Sequence, residues 1–125
     1  VRIYVSEQSN HYIAQKAQES YYDELIEAGV RIFRYPAPTV LHSKFIIVDD
    51  DITVIGSSNM DERSFTMNME LSVLIVSEDF ASRMYELEQA EYASTSEELE
   101  LEVWRQRPLG VKYMENVCRL TSSLL

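Results

Sequence analysis

The sequence is poor in the residues that build disulfides, membrane spans and nucleic-acid surfaces. Cys118 is the single cysteine among 125 residues, which excludes an internal disulfide and a metal site made of several cysteines. No apolar run approaches the roughly 20 residues that a membrane-spanning helix needs. Lys and Arg number 11 against 21 Asp and Glu, a net charge of −10. That charge disfavours general binding to nucleic acid, and it disfavours attraction to an anionic membrane by charge alone.

The remaining composition is that of an ordinary globular domain. Hydrophobic residues make up 46% and charged residues 26% of the chain. A length of 125 residues suffices for a real hydrophobic core, so we expect one domain over residues 1–125. Residues 1–5 have the pattern of a strand and not of a signal peptide. A chain that starts in this way, without an initiating Met, leads us to expect a piece of a longer parent protein.

The first third of the sequence predicts a β-α-β unit. A strand over residues 1–5 precedes a helix over residues 11–28, whose apolar residues recur at helical spacing. Gly29 is placed to end that helix, and residues 30–35 form a second strand. Two strands joined in this way pair in parallel through a right-handed crossover.

The last third predicts a strand followed by three helices. The strand covers residues 69–76, and the first helix covers residues 80–92 after an N-cap at Ser77. Thr95 or Ser96 is expected to cap a helix that exposes the acidic run of residues 97–102 to solvent. Pro108 suits the first turn of the last helix. Its apolar stripe is expected in a core or subunit contact and consists of Leu109, Tyr113, Val117, Leu120 and Leu124. Cys118 is expected to be a small buried residue of this helix.

Between these parts, residues 42–70 bring together polar residues that can handle a phosphate. Residues 43–48 and 52–55 are apolar and rich in β-branched side chains, as buried strands are. A two-residue turn at Asp50 and Asp51 would place Lys44 opposite Ser57 and His42 opposite Asn59. The four side chains would then form one patch, whereas a longer loop would shift the register by one residue and scatter them.

The chemistry of that patch suits a tetrahedral phosphate. Lys44 supplies a cation with three donors, and Ser57 and Asn59 supply neutral donors, unless these two serve only as turn residues. His42 can attack phosphorus as a neutral imidazole or protonate a departing alkoxide as imidazolium. Glu70 could orient the far ring nitrogen of His42.

Two acidic residues have alternative interpretations. Glu70 could instead pair with Arg63 at the surface. Asp49 follows His42 by seven residues, about 23 Å along an extended strand, and has the opposite side-chain parity. We therefore expect Asp49 to support the fold near the turn.

This arrangement of residues resembles the HKD signature of the phospholipase D superfamily. The pattern reads His42-x-Lys44-x4-Asp49-x6-Gly56-Ser57-x-Asn59. The flanks are similar to the C-terminal half of bacterial cardiolipin synthases, in the segments Tyr21-Tyr22-Asp23-Glu24-Leu25, Ala28-Gly29-Val30-Arg31-Ile32, Leu41-His42, Asn59-Met60-Asp61-x-Arg63-Ser64, Asn68-x-Glu70 and Trp104-Arg105-x-Arg107-Pro108-Leu109. Such enzymes carry two HKD motifs in one chain, whereas this sequence has one, since no lysine follows His11 two residues later.

The resemblance implies a fold and a set of site residues. The fold is an α/β, phospholipase D/nuclease-like domain with a mixed, mostly parallel β-sheet, helices on both faces and one HKD half. Residues 1–125 would be the second, C-terminal HKD domain of the parent. The implied catalytic residues are His42, Lys44, Asp49 and Glu70, and the implied phosphate-binding residues are Lys44, Ser57 and Asn59. No metal or other cofactor is implied.

The resemblance also implies a two-step reaction. One histidine attacks phosphorus and forms a phosphohistidine, and the other protonates the departing alcohol and deprotonates the incoming one. As part of the second half, His42 would be the acid/base, with the nucleophile as the alternative. In cardiolipin synthases the implied donor and acceptor are both phosphatidylglycerol, and the products are cardiolipin and glycerol.

The implied partners are a phospholipid and the first HKD half. A homodimer of this chain is a separate expectation, since symmetric self-association could bring two His42 residues together. The parent would lie at the bacterial cell membrane through its own N-terminal helices, while this fragment would be soluble, and no nucleic acid is expected. Three alternatives remain open: a phospholipase D-type phosphodiesterase or nuclease, a half that is inactive on its own, and a degenerate scaffold.

Overall fold

The structure, a computed structural model, describes residues 1–122 and divides into two compact units. The first unit comprises residues 1–41 together with the chain from Thr95 onward, and the second comprises His42–Ser94. The elements in chain order are β1 (Arg2–Ser6), α1 (Tyr12–Glu19), α2 (Tyr22–Glu27), β2 (Arg31–Tyr35), β3 (Phe45–Val48), β4 (Ile52–Gly56), α3 (Glu62–Thr66), β5 (Ser72–Val76), α4 (Glu78–Leu87), a π-helical segment (Glu88–Ala93), β6 (Glu97–Glu98), α5 (Leu101–Arg105) and α6 (Leu109–Arg119). Within residues 1–122, no helix combines the length and apolar character needed to cross a membrane.

The β-α-β prediction for the first unit is confirmed, with one change. β1 and β2 are parallel and pair from Arg2 with Arg31 to Ser6 with Tyr35. Gly29 has φ of 89°, the left-handed conformation expected after a helix. The single predicted helix is instead two helices, α1 and α2. The Ser20 hydroxyl donates to the Ala17 carbonyl at 2.6 Å at the break, a local bond that competes with helix continuation.

The helix predicted over the acidic run of residues 97–102 begins only at Leu101, so the prediction is wrong for Glu97 and Glu98. Glu97 and Glu98 form β6, which pairs antiparallel with β2. The Arg31 guanidinium donates two hydrogen bonds to the Glu98 carboxylate, both at 2.7 Å. This bidentate pairing, together with the backbone ladder, explains why the segment is extended.

The apolar stripe predicted for the last helix does not form its packed face. Leu109 and Tyr113 of α6 are 82% and 71% exposed, and Leu120, directly after the helix, is 82% exposed. Leu124 lies outside the described residues. α6 packs against α1, and its buried residues are Glu115 and Cys118, the latter as predicted. Glu115 can be buried because Arg107 donates to its carboxylate at 2.8 Å.

The second unit is built on an antiparallel sheet of order β3-β4-β5. The α/β class is confirmed, but the described strands form two three-stranded sheets, and β1–β2 is the one parallel pairing among their four. The expectation of a mostly parallel sheet is therefore wrong for these strands. The short β3–β4 turn explains one of the three antiparallel pairings, since neighbouring strands joined by a tight turn must run in opposite directions.

The turn between β3 and β4 is one residue longer than predicted. Val48 pairs with Ile52, which leaves Asp49, Asp50 and Asp51 in a three-residue turn. Asp49 adopts a φ of 51°, a left-handed conformation that Asp tolerates better than most residues. The register shifts accordingly, and Lys44 lies opposite Gly56, whose N–H donates to the Lys44 carbonyl at 3.1 Å.

Gly56 is required where β4 meets β5. A Cβ atom at this position would overlap the Leu71 carbonyl oxygen and the Ser72 side chain, and it would press on backbone as well. We expect Gly56→Ala to lower the free energy of unfolding by about 1–3 kcal/mol, the usual range for overpacking. Gly110→Ala is the matched control, since its added Cβ meets no atom within 4 Å apart from its chain neighbours and the backbone of its own helix. Urea unfolding of both variants makes the comparison. Equal effects of the two variants would contradict the close approach.

Candidate functional site

A pocket of about 300 Å³ lies at the end of the β3–β4 hairpin that is remote from the turn. His42, Ser43 and Lys44 border it from the segment that leads into β3, and Gly56 borders it from β4. The rest of its lining is apolar: Phe45, Ile55, Met84, Leu87 and Tyr92. The predicted histidine and lysine therefore border one common cavity within the second unit.

The His42 and Lys44 side chains are in direct contact. The Lys44 Nζ lies 2.9 Å from the His42 Nδ1 and donates to the His42 carbonyl oxygen at 2.7 Å. An ammonium group can only donate, so Nδ1 is the acceptor, and a neutral imidazole carries its proton on Nε2. In this arrangement Nε2 is a donor. For His42 to attack phosphorus through Nε2, the ring must change tautomer and Lys44 must release Nδ1.

Ser57 and Glu70 form a second polar group near the ends of β4 and β5. The Ser57 hydroxyl donates to the Glu70 carboxylate at 2.5 Å and accepts from the Leu71 N–H at 3.1 Å. The Asn68 amide donates to the other Glu70 oxygen at 3.3 Å. Among the described residues, the hydrogen-bond partners of Glu70 do not include His42. The role of Glu70 as the orienting partner of His42 therefore has no contact that supports it.

The predicted single patch is thus replaced by two groups. His42 and Lys44 make one, while Ser57 and Glu70 make the other, and in residues 1–122 no hydrogen bond joins them. The cause is the three-residue turn, which sets Lys44 opposite Gly56 instead of Ser57. The sequence analysis predicts this outcome for a longer loop, because a register shift of one residue separates the four side chains.

Asn59 follows β4 and precedes the short helix α3. Its backbone N–H donates to the Ser64 hydroxyl at 3.2 Å, and Asp61 caps α3 by accepting from the Ser64 N–H at 2.7 Å. The Asn59 side chain is exposed and has no hydrogen-bond partner within the described part of the chain, so its amide can donate to a bound group.

Asp49 lies at the opposite end of β3 from His42, in the turn. The Tyr85 hydroxyl of α4 donates to the Asp49 carbonyl at 2.9 Å, which ties the turn to the helix. The placement of Asp49 matches the supporting position that its spacing from His42 predicts. A catalytic role for its carboxylate stays a prediction.

The Glu70 environment favours its charged form. The Ser57 hydrogen bond is the largest cause that holds the pKa of the Glu70 carboxyl below its ordinary 4.5. The Asn68 amide and the Ser64 hydroxyl act in the same direction, against partial loss of water and the nearby Asp61 charge. Sequence reasoning did not assign Asn68 or Ser64 to the site. Asn68 could have been assigned to the site from the sequence, because it lies two residues before Glu70.

Removal of the Ser57 hydroxyl should make the charged form of the Glu70 carboxyl less favourable. We expect Ser57→Ala to raise the pKa of Glu70 towards 4.5, because the strongest donor to the carboxylate is lost. In the unchanged protein, the stabilisation by this bond is present above pH 4.5 and is lost as the pH falls through the lowered pKa. Carboxyl carbon NMR during a pH titration measures the shift. Ser82→Ala on α4 is the control, and an unmoved Glu70 pKa in Ser57→Ala would contradict the contact.

No group of three or more His, Cys, Asp or Glu side chains in residues 1–122 is arranged to hold a metal ion. The polar atoms at the site are an imidazole, an ammonium, a hydroxyl, an amide and a carboxylate. These groups, carried on an α/β fold, are those that the HKD pattern of the phospholipase D superfamily implies, and their roles in catalysis stay a prediction.

Comparison with known proteins agrees with that superfamily. A family model described as "Cardiolipin synthase, PLD-like domain" matches residues 1–90. The chain is 38% identical to cardiolipin synthase A of Pseudomonas fluorescens and 39% identical to the cardiolipin synthase of a Geobacillus species, in each case over 100% of this chain. It spans only 26% and 24% of those two proteins. The chain belongs to the PLD-like domain family of cardiolipin synthases.

A solved structure supports the fold assignment. The crystal structure of Nuc, a phospholipase D family member from Salmonella typhimurium, is similar with a TM-score of 0.65 at 25% sequence identity. The match covers 80% of this chain and 64% of that protein. The phospholipase D-like fold predicted from the HKD pattern is confirmed.

Proposed function

We propose that this chain is one half of a phosphatidyltransferase site, the second HKD domain of a cardiolipin synthase. The observation that carries the proposal is the contact between His42 and Lys44 at the border of an open-sided pocket. The names of the relatives in Pseudomonas fluorescens and Geobacillus support the choice of reaction. The chain spans about a quarter of those relatives. In this proposal a complementary HKD half outside residues 1–125 completes the site.

The proposed reaction exchanges one alcohol for another on phosphorus. In the first step a histidine nitrogen attacks the phosphorus of phosphatidylglycerol, a P–N bond forms, and the P–O bond to the free-hydroxyl glycerol breaks. The second histidine gives its proton to the departing glycerol oxygen. In the second step a hydroxyl of another phosphatidylglycerol gives its proton to that histidine and attacks phosphorus, and the P–N bond breaks. The products are cardiolipin and glycerol, and the enzyme is regenerated.

The residues of this chain have distinct roles in that scheme. His42 is the acid/base, and as imidazolium it protonates the departing alcohol. Both ring nitrogens of an imidazolium donate, so this role requires that Lys44 leave Nδ1. The alternative is that His42 is the nucleophile. Lys44 stabilises the negative charge that develops on the phosphoryl oxygens, and the free Asn59 amide adds a neutral donor. The Ser57 hydroxyl can donate to the same oxygens only if it gives up its hydrogen bond to the Glu70 carboxylate.

The second candidate is a phospholipase D-type phosphodiesterase or nuclease, for which the shared superfamily fold is the favouring observation. The charge of the second unit opposes the nuclease version. His42–Ser94 contains three Lys or Arg against eleven Asp or Glu, and a nucleic acid backbone requires the opposite balance.

Comparison of two substrates distinguishes the candidates. We expect the full-length protein to convert phosphatidylglycerol vesicles to cardiolipin and to leave single-stranded DNA intact. Thin-layer chromatography of the lipids and gel analysis of the DNA provide the readouts. Release of phosphatidic acid without cardiolipin would favour the phosphodiesterase, and cleavage of DNA without lipid turnover would overturn the proposal.

A further inference from the structure

The pocket beside His42 and Lys44 has an apolar wall that the phosphate chemistry does not use. Phe45 of β3 and Ile55 of β4 are paired across the sheet and form its floor. Met84 and Leu87 approach it from α4. A reaction that involves only phosphoryl oxygens and two alcohols has no need for these hydrocarbon groups so close to the histidine.

Tyr92 is placed at this wall by an irregular helix. α4 ends at Leu87 and continues directly into the π-helical segment Glu88–Ala93. π-helical turns are rare, and they occur often at functional sites, because the wider turn redirects the side chains that follow it. The Tyr92 ring meets the Phe45 ring edge-on, with centroids 5.6 Å apart and an interplanar angle of 74°. This contact fixes Tyr92 at the border of the pocket.

We propose that this wall binds the glycerol-ester region and the first acyl-chain carbons of a phospholipid, and that Tyr92 and Leu87 determine specificity for acylated phosphodiesters. The inference rests on the proposed function and adds the residues that select the substrate class. A pocket of about 300 Å³ is at the small end for ligand sites, so it holds the start of an acyl chain and not its whole length. A phosphoryl group at His42 and Lys44 has its esterified carbons adjacent to the wall.

The chemistry of the wall favours a lipid over a nucleotide. The wall combines three aliphatic side chains, Ile55, Met84 and Leu87, with the Phe45 and Tyr92 rings, which pack edge-on against each other. Sites for bases combine aromatic platforms with a basic track, and the described residues that line this pocket provide no such track. Lys44 is the one basic side chain among the residues that line this pocket, apart from His42.

Two soluble phosphodiesters test the proposal in the full-length protein. Dihexanoyl phosphatidylglycerol, used below its critical micelle concentration, carries short acyl chains, and glycerophosphoglycerol has the same phosphodiester without them. We expect Leu87→Ser and Tyr92→Ala to lower kcat/KM for the acylated substrate by about 10-fold or more, the scale at which apolar pockets discriminate. The value for glycerophosphoglycerol should change less than about 3-fold. Tyr85→Ala on α4 is the control, because Tyr85 borders a different hollow with Asp50, Glu78 and Ser82.

The outcomes separate the two proposals. Equal loss of turnover for both substrates, or no loss for either, overturns the specificity role while the phosphatidyltransferase function stands. A wild-type protein that turns over neither substrate overturns both. Leu87 is 42% exposed, so Leu87→Ser keeps the test valid if Tyr92→Ala destabilises the second unit.

Discussion

Replacement of His42 by alanine is expected to lower phosphodiester turnover by the full-length protein about 10³-fold or more. Loss of a general acid/base or of a nucleophile costs this much in enzymes where the remaining groups only bind charge. The exposed position of His42 means that the fold should survive the change. Initial rates with phosphatidylglycerol, together with the thermal unfolding midpoint, separate a chemical effect from a structural one.

The second histidine of the chain supplies the control. His11 precedes α1 in the first unit, is exposed and makes no capping hydrogen bond with its side chain. His11→Ala should therefore leave the rate within about 2-fold, in line with the small effects of most surface substitutions. A His42→Ala protein that keeps more than a tenth of its activity would revive the scaffold interpretation.

Arg107→Met is expected to lower the free energy of unfolding by about 3–5 kcal/mol, the cost of leaving a buried charge without its partner. Arg107 is only 12% exposed and donates to Glu115, which is 1% exposed, and to Asp23, in both cases at 2.8 Å. Its guanidinium also lies 4.2 Å from the Trp104 ring centroid. Urea unfolding followed by circular dichroism measures the loss.

Two further variants test whether charge burial is the cause. Arg107→Met combined with Glu115→Leu should recover most of the stability, because neither charge is then buried alone. Arg83→Met removes one partner of the exposed Arg83–Asp79 pair and should cost less than about 1 kcal/mol. If the single Arg107 variant unfolds like the Arg83 variant, the buried network does not hold α6 in place.

The sequence predicted best where local pattern and tertiary packing agree. Gly29 ends a helix because its left-handed backbone requires glycine, and Ser77 caps α4 by accepting from the Phe80 N–H at 3.2 Å. Likewise, the parallel pairing of β1 and β2 followed from the helical connection between them. Each of these predictions depends on a rule that holds within a short stretch of chain.

The predictions that failed depend on distant partners or on one residue of register. Glu97 and Glu98 are extended because β2 and Arg31 pair with them, more than 60 positions earlier in the chain. The buried position of Glu115 follows from Arg107, which a hydropathy pattern cannot show. In the site, one extra turn residue moved Lys44 from Ser57 to Gly56, and Asp-Asp-Asp does not specify how many residues the turn contains.

Trapping of the covalent intermediate tests the central claim most directly. Full-length protein mixed with phosphatidylglycerol labelled at phosphorus and quenched in alkali should retain label on a histidine, which peptide mass spectrometry identifies. His42→Ala should either abolish the label, if His42 is the nucleophile, or change its lifetime at the other histidine, if His42 is the acid/base. The same amount of label with the same lifetime in His42→Ala and in the unchanged protein would contradict any role of His42 in phosphoryl transfer.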